Sequence, residues 1–150
     1  MSIKLDDVDK KILKILLKDA RLSYREVAKK VNVSAGTVLA RTKKMEKQGV
    51  IKCYSAILDH ERIGYELTAV TEITVSKGRL KEIEEKVAKM PQTCAVYDVT
   101  GLTDAIVIAK FRSREELSKF AKKILALPYV ERTNTHLVLT TVKEDFRLNP

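Results

Sequence analysis

The hydrophobic pattern of this chain changes its period once, near Gly49, and this change constrains the fold more than any other feature. Before Gly49, apolar residues recur three or four positions apart, which is typical of amphipathic helices. After Gly49 they alternate with polar residues or stand in short runs between turn residues, which is typical of strands. The sequence therefore predicts a helical N-terminal segment followed by a segment rich in strands.

The N-terminal segment contains start and stop signals for three helices. Asp6 can cap the first helix with its carboxylate. Ser23 and Glu26 form a capping-box pattern, in which the hydroxyl and the carboxylate each accept a backbone amide of the other residue. Ser34 can cap a third helix, which should end at Gly49 because glycine readily adopts the positive φ of a helix terminus.

Residues in and before the third helix indicate how it packs. Val38, Thr42 and Met45 are spaced to point inward together. A buried hydroxyl at Thr42 can bond back to the carbonyl of Val38, at a small cost to the helix. Asn32 stands where a tight turn needs a positive φ, which asparagine tolerates. The pattern predicts a helix-turn-helix.

The segment after Gly49 marks the domain boundary. Residues 50–58 alternate as a strand or wing hairpin does, and a polar connection follows. We assign residues 1–52 to a helix-turn-helix DNA-binding domain and 53–65 to a wing strand and linker. Residues 66–144 should form the second domain, and 145–150 a C-terminal tail.

The second domain alternates strands and helices in the order β-α-β-β-α-β. The predicted strands cover residues 67–75, 93–99, 105–111 and 130–141; Gly78 opens the first helix, and Ser113 caps the second. This order is typical of the ferredoxin-like arrangement, an antiparallel sheet with two helices on one face. The fold class is therefore α+β: an N-terminal winged helix-turn-helix and a C-terminal ferredoxin-like βαββαβ domain.

Such a sheet leaves one face without helices. In the last predicted strand Leu137, Val138 and Leu139 are consecutively apolar, so we expect both faces to be buried there. A monomer would expose the open apolar face, and pairing of two sheets would cover it. We expect at least a homodimer.

Positive charge is concentrated in the first third of the chain. Residues 1–55 hold 14 Lys and Arg against 6 Asp and Glu, a net charge of +8, whereas residues 56–150 carry only +1. A basic segment joined to a neutral one indicates a polyanion-binding module and a second module with another task. Lysine-rich helices that are merely soluble are the alternative.

The third helix should enter the major groove of double-stranded DNA with its N-terminal end. Small residues at Gly36 and Ala40 would let it lie deep in the groove. The candidate DNA-binding residues are Ser34, Gly36, Thr37, Ala40, Arg41, Lys43 and Lys44.

Each polar candidate has a chemical role to match. Arg41 can bind guanine O6 and N7 in a bidentate manner, and Thr37 can contact a base or a thymine methyl. Ser34 and the helix N-terminus can hold a phosphate, and Lys43 and Lys44 are placed for the backbone. Taken singly, each residue has an ordinary alternative as a cap or a solvated face; together with the charge they favour DNA binding.

Other classes of function find less support. His60 and His136 are far apart in the predicted structure, and Cys53 and Cys94 make neither a disulfide framework nor a metal-ligand pattern. We therefore expect no catalytic residues, no metal site, no cofactor and no enzyme activity. RNA binding on the sheet would need a pattern of stacking aromatic residues in the central strands, and residues 105–111 lack that pattern. An architectural protein that compacts DNA stays open.

The sequence also bears on location. The first six residues lack the apolar stretch of a signal peptide, and no apolar run is long enough to span a bilayer. Two cysteines without a disulfide framework fit a reducing compartment. We expect a cytoplasmic protein without a membrane partner.

Short motifs follow one another in a specific order from residue 3 to residue 144. They are Leu5-Asp6-Asp7-Val8-Asp9, Asp19-Ala20-Arg21, Val33-Ser34 with Thr37-Val38 and Arg41, Gly49-Val50-Ile51-Lys52 with Tyr54, Ile63-Gly64-Tyr65, Val96-Tyr97, Thr100-Gly101 with Asp104, and Val130 with Thr133 and Thr135. In this order and spacing they resemble the Lrp/AsnC, or feast/famine, regulators of bacteria and archaea.

The resemblance implies a sequence-specific transcriptional regulator. Members dimerise through the C-terminal domain, commonly assemble into octameric rings, bind palindromic operators and often repress their own gene. Many bind a free amino acid in a cleft between dimers, lined by the loop before the third strand and by the last strand. The implied effector residues are Gly101, Leu102, Thr103, Asp104, Thr133 and Thr135.

The implied effector site is chemically reasonable but departs from the family at one position. A glycine-containing loop offers amides to a carboxylate, and Asp104 could pair with an ammonium group. The family usually has a second aspartate where this chain has Leu102. A simple hairpin turn, with Gly101 for conformation, is the alternative. We expect an oligomeric regulator modulated by an amino acid or a similar small metabolite.

Overall fold

Three helices form the N-terminal unit of the computed structural model, which describes residues 3–76 and 78–150. They are α1 (Asp7–Lys18), α2 (Tyr24–Val31) and α3 (Ala35–Lys47). Met1, Ser2 and Lys77, which the sequence assigns to the two domains, lie outside the described residues. None of the described helices is both long and apolar enough to cross a membrane.

The predicted caps are confirmed at all three helix starts. The Asp6 carboxylate accepts the amide of Asp9 at 2.9 Å, and the Ser23 hydroxyl accepts the amide of Glu26 at 3.3 Å. The Ser34 hydroxyl accepts an amide of the first turn of α3 in the same way. Each bond satisfies a donor that the first turn of a helix leaves unpaired.

The turn before α3 and the end of α3 also follow the prediction. Asn32 has a φ of 57°, and Gly49 has a φ of 71°. The amide of Gly49 donates to the carbonyl of Glu46 at 3.0 Å. Glycine adopts this backbone conformation at little cost, so α3 stops here.

The three helices enclose one apolar core. Its buried members are Ile12, Leu13, Val27, Ala28, Val31, Val38 and Met45. Thr42 is fully buried in the same unit, as predicted. Its predicted bond to the carbonyl of Val38 is not formed, and the hydroxyl has no hydrogen-bond partner among the described residues. The apolar side chains of this core offer no acceptor, so no side-chain hydrogen bond compensates for the burial of the hydroxyl.

The predicted wing strand is not formed: residues 50–58 of the described chain lie in no strand. A strand needs a partner whose backbone groups face its own, and none of the described strands pairs with this segment. The amides of Val50 and Ile51 instead donate to the carbonyl of Met45 at 2.9 and 3.3 Å. Ile57, further along, is 71% exposed. The segment is an irregular connector rather than the wing strand assigned to 53–65.

The second unit, Leu58–Lys143, confirms the predicted βαββαβ order. Its elements are β1 (Leu67–Val75), α4 (Leu80–Ala88), β2 (Thr93–Asp98), β3 (Ala105–Phe111), α5 (Arg114–Leu125) and β4 (Val130–Leu137). The described strands form one antiparallel sheet in the order β2-β3-β1-β4. Residues up to Ile57 and the tail Glu144–Pro150 belong to the first unit.

Both helices of the second unit share one apolar core with one face of the sheet. Alternate residues of β1 and β3 point into this core, as the period of two requires. The buried members are Ala69, Ile73, Val75, Ile83, Val87, Met90, Ala105, Val107, Ala109, Phe111, Phe120 and Ile124.

Two predicted boundaries in this unit are wrong by two residues or more, and the strand predicted over residues 93–99 ends one residue earlier, at Asp98. The last strand ends at Leu137 rather than at residue 141, because its partner strand begins at Leu67 and offers no further pairing beyond Thr68. The first helix of the βαββαβ order, α4, begins at Leu80 rather than at Gly78, whose φ of 79° is not helical. A glycine with this φ marks a turn before the helix.

The face of the sheet opposite the helices carries apolar side chains. Val70 lies opposite Ile108, and Tyr97 lies opposite Ile106. These four side chains are not fully buried in the single chain. The expected burial of both faces of the last strand is not seen here, since Leu139 is 94% exposed.

Candidate nucleic-acid interface and effector site

The two opposite sides of α3 differ sharply in burial. Val38, Thr42 and Met45 are buried against the other two helices. The predicted DNA-binding residues all lie outside this buried set, five of them exposed and Thr37 and Arg41 half-buried. The exposed ones are Ser34, Gly36, Ala40, Lys43 and Lys44. The structure thus brings the seven candidates onto the accessible side of one helix.

The hydroxyls at the start of α3 are bonded to each other. Ser34 Oγ lies 2.8 Å from Thr37 Oγ1 and also accepts the Thr37 amide at 3.0 Å. A hydroxyl that caps a helix still has lone-pair and donor capacity for a phosphate. The cap and the predicted phosphate role of Ser34 are therefore compatible.

Arg41 is held by two carboxylates from the start of α1. Its Nη1 donates to Asp6 Oδ2 at 2.5 Å and to Asp9 Oδ1 at 2.9 Å. The side chain of Arg41 stays 31% exposed, while that of Asp9 is only 13% exposed. The Asp9 amide, and then the guanidinium, lower the pKa of the Asp6 carboxyl. The sequence predicted Asp6 only as a cap, because this pairing joins residues far apart in the chain.

The C-terminal half of α3 carries an ion pair and a link to the connector. Lys43 Nζ lies 3.1 Å from Glu46 Oε2. The Tyr54 hydroxyl donates to the other oxygen, Glu46 Oε1, at 3.0 Å. Lys43 therefore already has an ion-pair partner within the protein. Lys44 is exposed and, together with Lys4, lines a shallow hollow beside Arg41.

Leu39 is a candidate contact that the sequence prediction missed. It belongs to α3 yet is 42% exposed. An apolar side chain on the accessible side of a recognition helix can pack against a thymine methyl. The sequence does carry a signal for this contact: Leu39 is apolar but falls outside the helical spacing of the inward-pointing residues Val38 and Thr42.

The predicted effector loop is anchored to the end of β1. Gly101 adopts a φ of 127°, and Leu102 is 97% exposed at the tip. The Thr103 hydroxyl donates to the carbonyl of Ile73 at 2.8 Å. Asp104 Oδ2 accepts the amide of Val75 at 2.8 Å. The Asp104 carboxylate therefore closes the loop, with further lone pairs to offer a ligand.

The two effector candidates in β4, Thr133 and Thr135, pair with β1, the strand whose end anchors the loop. Thr133 lies opposite Ile73, and Thr135 lies opposite Thr71. The hydroxyls of Thr135 and Thr71 are 3.1 Å apart. Thr133 therefore comes to the end of β1 where the loop is anchored, and Thr135 lies two residue pairs further along the sheet.

Comparison with known protein families assigns both units. Residues 5–52 match the family described as winged helix-turn-helix DNA-binding. Residues 68–148 match the Lrp/AsnC ligand binding domain. The two matches cover the helical unit that carries α3 and the sheet that carries the loop and β4.

Similar proteins extend the match over the whole chain. An uncharacterized HTH-type transcriptional regulator of Pyrococcus furiosus is 51% identical over 99% of this chain and 100% of its own. The HTH-type transcriptional regulator FL11 of Pyrococcus horikoshii is 38% identical, covering 99% of this chain and 98% of its own.

Solved structures agree. AsnC of E. coli superposes with a TM-score of 0.92 at 25% identity, covering 99% of this chain and all of that one. A transcriptional regulator of Neisseria meningitidis in complex with L-Met gives a TM-score of 0.89 at 28% identity, covering 97% and 96%. The chain therefore belongs to the Lrp/AsnC family of transcriptional regulators.

Proposed function

We propose that this regulator reads double-stranded DNA by placing the N-terminal half of α3 in the major groove. The observation that carries the proposal is the division of α3 into a buried side and an accessible side that holds every predicted contact. The contacts are made by Ser34, Gly36, Thr37, Ala40, Arg41, Lys43 and Lys44.

The roles follow from the chemistry of each side chain. Arg41 and Thr37 contact base edges, since both remain partly accessible on α3. Ser34 and the N-terminus of α3 hold a phosphate. Lys44 contacts the backbone, and Lys43 joins it after exchanging Glu46 for a phosphate.

We further propose that the C-terminal unit binds an amino acid or a similar small metabolite. The solved complex of the Neisseria meningitidis regulator with L-Met supports this ligand class. The ligand contacts the anchored loop and β4 through Gly101, Leu102, Thr103, Asp104, Thr133 and Thr135. Leu102, which is apolar and fully accessible, favours an effector with an apolar side chain.

The assembly we propose is a homodimer formed through the open sheet face, further assembled into an octamer. The apolar side chains of Val70, Ile106 and Ile108 on that face support sheet-to-sheet pairing. A dimer with two-fold symmetry presents two copies of α3, so the operator is a palindrome. Residues 1–52 bind DNA, 66–144 assemble and sense, and the protein acts in the cytoplasm, where its DNA target lies.

Selection from randomised duplexes, followed by fluorescence anisotropy over a salt series, tests the proposed DNA function. A regulator of this kind should enrich a palindromic site and keep a high ratio of specific to scrambled affinity as salt rises. Equal affinity for selected and scrambled duplexes at every salt concentration would refute it and favour a protein that compacts DNA.

A further inference from the structure

The guanidinium of Arg41, in α3, contacts both carboxylates of the capping box at the start of α1. Asp6 Oδ1 accepts the Asp9 amide at 2.9 Å, and Asp9 Oδ2 accepts the Asp6 amide at 3.3 Å. The remaining oxygen of each carboxylate accepts Nη1 of Arg41. Both capping carboxylates therefore divide their two oxygens between the start of α1 and one nitrogen of the recognition helix.

This arrangement leaves Arg41 with a defined edge for DNA. A guanidinium carries five N–H donors in a fixed plane. With Nη1 bonded to two carboxylates, the pair that can make a bidentate contact is Nε and Nη2. Arg21 shows the same edge in use elsewhere in this chain, where Nε and Nη2 each donate to Asp19 at 2.9 Å.

We propose that Asp6 and Asp9 are positioning residues that fix the direction from which Arg41 reads a base. The inference rests on the proposed function, in which Arg41 contacts a base edge. A long arginine side chain loses rotamer freedom when it binds, and the carboxylate pair orders it before DNA arrives. Specificity therefore depends on two residues at the start of α1, its cap Asp6 and Asp9, that need not touch the DNA.

The charges of Asp6, Asp9 and Arg41 together weaken non-specific contacts with the DNA backbone. Two carboxylates and one guanidinium carry a net charge of −1, which disfavours a phosphate at Arg41. Lys4 and Lys44 line the adjoining hollow and supply cations for the backbone. Removing the carboxylate charges should thus strengthen binding to any duplex while weakening the preference for the operator.

The test uses the full-length Asp6→Asn/Asp9→Asn variant. Asparagine keeps a side-chain oxygen for the caps, so the start of α1 is retained while both charges are removed. We expect the ratio of operator to scrambled affinity to fall about tenfold, the discrimination typical of one good bidentate pair. The logarithmic salt slope on scrambled DNA should steepen by about one phosphate contact.

Asp19→Asn is the matched control. It also removes an ion-paired carboxylate at an end of α1, but one whose partner is Arg21 rather than α3. Its base preference and salt slope should equal those of the unmodified protein. Circular dichroism and thermal unfolding monitor folding, and the single Asp9→Asn variant repeats the test if the double variant is unstable.

An Arg41→Ala background separates positioning from a merely structural role. There, Asp6→Asn/Asp9→Asn should cause no further loss of base preference, because the residue being positioned is gone. The inference would be overturned, with the proposed function left standing, by either of two results. One is an unchanged base preference in the folded Asp6→Asn/Asp9→Asn variant; the other is an equal loss of base preference when the same two changes are made in the Arg41→Ala background. An unmodified protein without any sequence preference would overturn the proposed function together with it.

Discussion

The hydroxyl of Tyr54 donates to Glu46 at 3.0 Å and thereby ties the connector after the helix-turn-helix to the last turns of α3. Burial, then the hydrogen bond to the Glu46 carboxylate, raises the pKa of Tyr54 to about 12. The connector is not a strand, so this side-chain contact is one of the bonds that orient it against α3.

The Tyr54 contact predicts a loss of stability at high pH. The raised pKa means that folding favours the neutral phenol, so the contribution is complete below about pH 10 and is lost as pH rises through about 12. Urea unfolding between pH 9 and 12 should show this fall, and Tyr54→Phe should reduce it. Tyr97→Phe, in the other unit, is the control; an undiminished fall in Tyr54→Phe would contradict the assignment.

Thr42→Val should stabilise the protein by about 1 kcal/mol, because it replaces a buried hydroxyl, which has no partner among the described residues, with a methyl of the same shape. Thr71→Val is the matched comparison, since its hydroxyl is bonded to Thr135. That change should cost about 1 kcal/mol. Denaturant unfolding at one pH measures both, and destabilisation by Thr42→Val would show that the hydroxyl is satisfied.

Asp19 should titrate at unusually low pH. Hydrogen bonds from the Arg21 side chain and amide lower the pKa of this carboxyl to about 2. A lowered pKa contributes stability above the unfolded value near 3.8, and this is lost as pH falls through about 2. NMR of the carboxyl carbon should give a midpoint near 2, moving up in Arg21→Ala. A midpoint unaffected by Arg21→Ala would disprove the cause.

The anchored loop allows the two roles of Asp104 to be separated. Asp104→Asn retains an oxygen for the Val75 amide but removes the charge proposed to pair with an effector ammonium. We expect unchanged thermal stability and an affinity for the responsive amino acid about tenfold weaker, the usual effect of losing one charged hydrogen bond. Calorimetry against the standard amino acids finds that ligand. Asp98→Asn, also near the loop, is the control, and unaltered affinity in Asp104→Asn would move the ammonium site elsewhere.

A charge on the open sheet face should break the assembly. Ile108 pairs with Val70 on the face without helices, so Ile108→Glu would bury a carboxylate between two sheets. Light scattering should then report a folded monomer. Leu125→Glu places the same charge on the exposed part of α5 and should leave the dimer intact. A dimeric Ile108→Glu protein would exclude this face as the interface.

Local rules predicted much of this protein. The caps at Asp6, Ser23 and Ser34 depend on hydrogen bonds three residues away, and the turn at Asn32 depends on the backbone of one residue. Periodicity predicted the βαββαβ order, because the core faces of strands and helices repeat every two and about every 3.6 residues. The largest error was the strand expected over residues 50–58, because a strand forms only when a distant segment pairs with it.

The sequence by itself determined which residues form α3 and which of its sides carries Arg41 and the lysines, since both follow from the period and caps of one helix. Only the tertiary structure decided what Arg41 touches: Asp6 and Asp9 stand 35 and 32 positions earlier in the chain. It likewise decided that the Thr42 hydroxyl meets no partner in the part of the chain that the structure describes, and that Asp104 bonds to Val75. These are long-range contacts, and their geometry depends on how separate elements pack together, which no short stretch of sequence encodes.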